Sequence, residues 1–308
     1  MIDVLIINHS IKNCGVYQFG RRIAYLALRS KELSVVYTEV DSPLEYNKAI
    51  YDMEPSIILH NWYPITMGWL TTELLRPTIK NFFIFHDGFI REDYDKYVFH
   101  GSYEKSDSIR VSNDRKILLP RPLFEYKQDR VSVHSPIPVI GSFGFGFWHK
   151  GFPELVEKVN GEMDHAIINL HIPNGHFGDS NGETARSVIQ ECYNRNKKPG
   201  IQLNITTDMK SNEQLLDFLG GNHLNAFLYN SFNEGLSSVI DYALSVKRPI
   251  AITDNMMFRH IVSKDITVEN NSLLDILNKG IKPLENFYDK WSTDNYLKEF
   301  NRIFKEEL

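Results

Sequence analysis

Two short stretches hold the residues best suited to chemistry. In "NSFNEGLSSVIDYALSVKRPIAITD", residues 230–254, Glu234 stands directly before Gly235, Leu236, Ser237 and Ser238, and small and apolar residues follow. The run reads as a helix over residues 235–246, whose first N–H groups and positive dipole end attract an anion. Glu234, just ahead of it, is placed to accept hydrogen bonds from hydroxyl groups. Sugar hydroxyls beside a phosphate satisfy both features at once. An ordinary helix cap, worth ~1 kcal/mol, satisfies them equally well.

The second stretch is "GSFGFGFWHKGF", residues 141–152, lying between a strand pattern and a helix pattern. Gly141, Gly144 and Gly146 permit close backbone approach, and Lys150 at the far end carries an ammonium that would neutralise a phosphate. The spacing is neither that of a dinucleotide fingerprint nor that of a P-loop, and a tight strand-to-helix turn is the plainer reading. His171, His176 and Asp179 are metal-ligand types, but nothing else in the sequence points to a metal, and a polar loop is expected there. Trp62, Tyr63 and Trp69 read as packing aromatics, with stacking on a sugar as the alternative.

These residues need elements to position them, and the apolar pattern supplies a regular alternation. Short apolar runs such as "DVLIIN", "SIILHN" and "NFFIFH" alternate with longer amphipathic segments, among them residues 17–30, 44–53 and 65–75. "SIRVSN" and "KILLP" read as short closing strands of this first half. Residues 120–138 break the rhythm with prolines and mixed charge, as an interdomain linker does. The alternation then restarts with "PVIGSFG" and runs to "PIAITD"; a charged amphipathic helix interrupted near Trp291 closes the chain. Runs apolar on both faces and separated by helices imply parallel sheets covered on both sides. The expected fold is therefore α/β, with two doubly wound, Rossmann-like domains facing a cleft. The expected domains are 1–134, with the linker region at 120–138, then 135–290, with 291–308 as a helix crossing back onto the first domain.

Composition narrows the function classes. A length of 308 residues suits two domains, and a hydrophobic share of 42% with 24% charged residues is that of a globular protein. A net charge of −5 argues against nucleic acid as a partner, while leaving peripheral membrane contact open. No apolar run reaches the ~20 residues of a membrane span, and "MIDVLIINHS" reads as a buried strand rather than a signal peptide. Two cysteines, Cys14 and Cys192, give no disulfide framework, so a cytoplasmic location is expected.

Taken in order, "NCGVYQFGRRIAYL", "PSIILHNW", "NFFIFHDGF", "VSNDRKILLPRPL", "GFGFWHKGFPELVEKV" and "YNSFNEGLSSVIDYALSVKRPIAITD" resemble the landmarks of the GT-B glycosyltransferases, specifically the family 4-like retaining enzymes. The resemblance extends over most of the chain. It implies a transferase that moves a sugar from a nucleotide-diphosphate donor to the hydroxyl of a glycan, polysaccharide or glycoconjugate acceptor. It implies no cofactor and no metal.

Position by position, Lys150 matches the lysine that grips the donor diphosphate, and Glu234 the acid that contacts the transferred sugar. Gly235, Leu236, Ser237 and Ser238 match the backbone segment cradling sugar and phosphate. Gly15 matches the glycine-rich first loop, and His86 the histidine lying against the sugar, with Asp87 placed to orient its ring. Gly144 belongs to the donor-side turn. Two positions depart from the pattern. Phe145 stands where the family has an arginine, with Arg22, Arg121 and Arg259 as candidate replacements. Tyr242 stands where a second glutamate holds the ribose, with Asp241 one position early. These departures keep a second reading in view, a catalytically degenerate GT-B module that binds sugar or nucleotide, or serves as a partner subunit.

Overall fold

The computed structural model describes residues 2–12, 14–86, 91–101, 111–175, 178–231 and 235–308. The chain divides into two compact units, Met1–Pro122 with Lys290–Leu308, and Leu123–Asp289.

The first unit is built on a parallel sheet. In chain order its elements are β1 (Ile2–Asn8), α1 (Gly15–Ala27), β2 (Val35–Glu39), α2 (Pro43–Met53), β3 (Pro55–His60), α3 (Pro64–Met67), β4 (Lys80–Ile84), β5 (Lys96–His100) and β6 (Lys116–Leu119). The strands lie in the order β2-β1-β3-β4-β5-β6. The central strands β1, β3 and β4 are almost wholly buried, which is why they read as unbroken apolar runs. The order reverses between β1 and β3, where Ile6 pairs with Leu59 and Ile7 with His60.

The second unit repeats the plan with β7 (Val139–Phe143), α4 (Phe152–Glu162), β8 (Ala166–His171), α5 (Glu183–Arg195), β9 (Ile201–Thr206), α6 (Asn212–Gly220), β10 (Leu224–Phe227), α7 (Val239–Ser245), β11 (Ile250–Ile252), α8 (Leu273–Lys279) and α9 (Glu285–Lys290). Its strand order is β11-β10-β7-β8-β9, all parallel, with the reversal between β7 and β10. Serines start its helices where the sequence supplies them. Ser211 and Gln214 form a reciprocal capping box on α6, and Ser272 and Asp275 form one on α8. Residues 123–138 are tied to this unit, since the Phe124 N–H donates to Ser245 Oγ and the Phe124 ring lies 4.3 Å from that of Tyr242.

The chain ends in α10 (Thr293–Glu307), capped by Ser292. Its Tyr296, Phe300 and Phe304 join the core of the first unit with Val4, Ile6, Phe19, Phe82 and Ile84. Among the described residues no helix is long and apolar enough to cross a membrane.

Several elements depart from the sequence reading. The segment expected as one helix over residues 65–75 is α3 followed by a separate 3-10 turn at Thr72–Leu74, with Gly68 closing α3. The strand β5 was not anticipated, and of the strand expected at residues 108–113 only 111–113 are described and none is in a strand. The helix expected from residue 235 begins at Val239. The residues just ahead of it are tied to a neighbouring loop, where the Ser237 N–H donates to the carbonyl of Met257 at 3.1 Å.

Candidate functional site

Open parallel sheets bind ligands at the carboxyl ends of strands where the strand order reverses. In the second unit that point lies between β7 and β10, and the residues following those two strands meet there. Tyr229, two residues past β10 and 2% exposed, is the hub. The Lys150 ammonium lies 4.2 Å above the centre of its ring. Ser237 Oγ donates to the Tyr229 hydroxyl at 3.3 Å. A Cβ built on Gly144 would sit 3.8 Å from that hydroxyl and 3.9 Å from Lys150 Cδ. Three residues singled out by sequence, Gly144, Lys150 and Ser237, are thus brought together around a fourth that was not.

The ring of Tyr229 is held from several directions. It packs on Phe258 with centroids 4.7 Å apart, and His149 presents its edge at 6.5 Å. The Tyr229 carbonyl accepts from Thr253 Oγ1 at 2.7 Å and from Asn255 Nδ2 at 3.4 Å. His149 stacks on Phe147, and burial, reinforced by the neighbouring Lys150 charge, draws its imidazole down to about 4. It is therefore neutral near pH 7, and Lys150 carries the charge of this turn.

The glycines of the turn fall into two kinds. At Gly141, Gly146 and Gly151 a Cβ would collide with Asn222 Nδ2 at 1.9 Å, Ala185 Cβ at 2.4 Å and the Leu228 carbonyl oxygen at 1.8 Å. Those three serve packing. Gly144 has φ +153°, and a Cβ there would make only ordinary contacts, with Phe152, Tyr229 and Lys150 at 3.7–3.9 Å, so its glycine is set by the backbone rather than by a clash.

Glu234 lies outside the described residues. Gly235, Leu236 and Ser238 are half-buried and precede α7, while Asp241 is fully buried within it. The Tyr242 hydroxyl donates to Asn212 Oδ1 at 2.9 Å, and its ring packs between Phe124 and Phe143. Arg259 belongs to the loop whose Met257 receives Ser237, and its Nη1 donates to the Met256 carbonyl. Asp179 accepts the N–H groups of Thr184 and Ala185 at the start of α5, a cap rather than a ligand, and His171 Nδ1 meets Thr206 Oγ1. His176 is outside the described residues.

In the first unit the reversal point carries a polar chain. Asn8 ends β1 and Asn61 follows β3, and Asn61 Nδ2 donates to Asn8 Oδ1 at 2.8 Å and to the Val16 carbonyl at 2.9 Å. That leaves Asn61 Oδ1 as acceptor for His86 Nε2 at 2.7 Å, so His86 carries its proton on Nε2. Burial, then the Arg121 guanidinium and His9, pull the His86 pKa down to about 3 and keep the ring neutral. Asp87 is outside the described residues. Gly15 opens α1, and a Cβ built there meets nothing within 4 Å. Gly20 is a packing requirement, because a Cβ there would lie 2.2 Å from Asn61 Nδ2. Arg22 and Arg121 both lie over the Phe19 ring, at 5.1 and 4.9 Å. Trp62 and Trp69 pack against Phe83 and Tyr46.

No protein-family model matches the chain, and no curated protein is similar to it in sequence. Solved structures do share its fold. HepE from Anabaena, bound to UDP and glucose, superposes with a TM-score of 0.68 at 11% identity, over 99% of this chain and 100% of that one. A glycosyltransferase from Rickettsia africae gives 0.67 at 13%, over 99% and 98%. The trehalose-6-phosphate synthase OtsA gives 0.65 at 10%, over 99% and 98%. The chain therefore has the Rossmann-like GT-B fold of these proteins.

Proposed function

We propose that the protein is a glycosyltransferase that moves a sugar from a nucleotide-diphosphate donor to an acceptor hydroxyl, with retention of configuration. The observation that carries this reading is the Lys150 ammonium, which has no carboxylate partner among the described residues and stands beside Gly144 at the reversal point of the second sheet. A fixed cation with no acid paired to it suits a diphosphate. HepE, which shares the fold, has been solved with UDP-glucose.

In the proposed reaction the bond between the anomeric carbon and the donor phosphate oxygen breaks, and Lys150 stabilises the charge that develops on the diphosphate. The acceptor oxygen bonds to the same carbon from the leaving-group side and passes its proton to the diphosphate. Glu234 is assigned from the sequence to hold the sugar's hydroxyls. His86, neutral and oriented by Asn61, is assigned a hydrogen-bonding contact with the sugar. Lys150 serves in place of a bound metal ion.

A second reading, a sugar- or nucleotide-binding module without turnover, is favoured by Tyr242, whose ring and hydroxyl are spent on Phe124 and Asn212. The test is release of nucleoside diphosphate from UDP-, GDP- and ADP-sugars, with and without simple sugar acceptors. Acceptor-dependent release from one donor, reduced about a hundredfold in Lys150→Ala (~2.7 kcal/mol), supports transfer. Binding without release supports the module, and neither binding nor release removes both readings.

A further inference from the structure

The pairing of Lys150 with an aromatic face, rather than with an acid, has a physical consequence. A carboxylate beside the ammonium would fix its position but cancel its charge, and an incoming anion would have to displace it. The face of a tyrosine ring attracts a cation through its quadrupole and leaves the positive charge uncompensated. Here the ammonium sits 4.2 Å from the ring centre, and no carboxylate pairs with it among the described residues. The seat is rigid, because Tyr229 is 2% exposed, packs on Phe258, and is bonded through its hydroxyl to Ser237 and through its carbonyl to Thr253. The ring thus links three loops, those after β7 and β10 and the one after β11, at the position of one charge.

We propose that Tyr229 is a positioning residue for diphosphate binding, its ring face presenting the Lys150 ammonium to the anion. The proposal rests on the diphosphate reading of this site. A long lysine side chain freed from the ring samples many rotamers, and the anion must order it at the moment of binding. With the ring in place that ordering is already done. The hydroxyl of Tyr229 serves the Ser237 loop instead, so ring and hydroxyl have separable effects.

The test is calorimetric titration of the full chain with inorganic pyrophosphate at low salt. Tyr229→Phe, which keeps the ring, should bind within about twofold of the wild type. Tyr229→Leu should bind about tenfold more weakly, equivalent to ~1.4 kcal/mol. Tyr229→Leu combined with Lys150→Ala should bind no more weakly than Lys150→Ala alone. If Tyr229→Leu does not fold, a trifluorinated phenylalanine at position 229 keeps the shape while withdrawing ring charge, and its affinity should still fall several-fold below that of Tyr229→Phe. Equal affinities for Tyr229→Phe and its fluorinated form, or no pyrophosphate binding by the wild type, would overturn the inference. Ring-dependent pyrophosphate binding without turnover of any nucleotide sugar would leave the inference standing and remove the proposed activity. Turnover without ring dependence would do the reverse.

Discussion

Asn61 and His86 form one oriented unit. The Asn61 amide donates to Asn8 and to the Val16 carbonyl, so its oxygen can only accept, and His86 Nε2–H is what it accepts, at 2.7 Å. Asn61→Asp tests this directly. A carboxylate cannot donate to the Val16 carbonyl, and it would face Asn8 Oδ1 as a second acceptor. The expected outcome is a loss of ~1–3 kcal/mol in urea unfolding. His86, now beside a negative charge, should titrate above its present value of about 3 when followed by NMR. An unchanged His86 titration would contradict the orientation.

Histidines should also govern acid stability. Burial draws His60 down to about 3, the effect opposed by its bond to the Phe82 carbonyl, and draws His171 to about 4. The folded state therefore binds fewer protons than the unfolded state below the ordinary histidine value near 6.5. Stability then rises with pH in that range and is lost as pH falls from about 6.5 toward 4 and then 3. For His60, which is fully buried, the slope is ~1.4 kcal/mol per pH unit. Urea midpoints at pH 7.5, 6 and 5 should show the decline starting near pH 6.5. A flat profile down to pH 5 would contradict it.

The two kinds of glycine predict two kinds of loss. Gly151→Ala places a Cβ 1.8 Å from the Leu228 oxygen at φ +68°, so it should cost several kcal/mol of unfolding free energy or prevent folding. Gly144→Ala meets nothing closer than 3.7 Å and should cost ~1–2 kcal/mol through its backbone conformation. Its larger effect should be weaker anion binding, since the methyl enters the space beside Lys150. Equal stability losses in the two variants would show that the distinction is wrong.

The last helix should behave as core of the first unit. Phe304 is fully buried, 4.2 Å from Phe300 and 5.7 Å from Phe82 between ring centres. Phe304→Ala should cost ~3–5 kcal/mol in chemical unfolding. A loss below 1 kcal/mol would show that the contact matters little.

The sheet strands were legible because burial on both faces leaves an unbroken apolar run, as in "DVLIIN" and "SIILHN". The strand β5, "KYVFH", carries a lysine and a histidine in five residues, and only the fold shows that His100 is buried. Lys150 was legible as a lone cation after a glycine turn. Tyr229 was not, because a tyrosine ending an apolar strand reads as core; its meeting with residues 144, 150 and 237 comes from strand order. The structure starts α7 at Val239 rather than at residue 235. Nothing local to Ser237 reveals that its N–H is taken by Met257, twenty residues further on. The polar chain from Asn8 through Asn61 to His86 likewise joins three strand ends that are distant in sequence.

Placing Lys150 in a site for a nucleotide diphosphate and its sugar makes nucleotide binding depend on it. The most direct measurement is thermal unfolding of the wild type and Lys150→Ala in the presence of UDP, GDP, ADP and their sugar conjugates. A ligand at 100 times its dissociation constant stabilises the folded state by ~2.7 kcal/mol, a shift of several degrees. Such a shift is expected with one nucleotide and its conjugates in the wild type, and should be lost in Lys150→Ala. No shift across the panel, or an equal shift in both proteins, would contradict it.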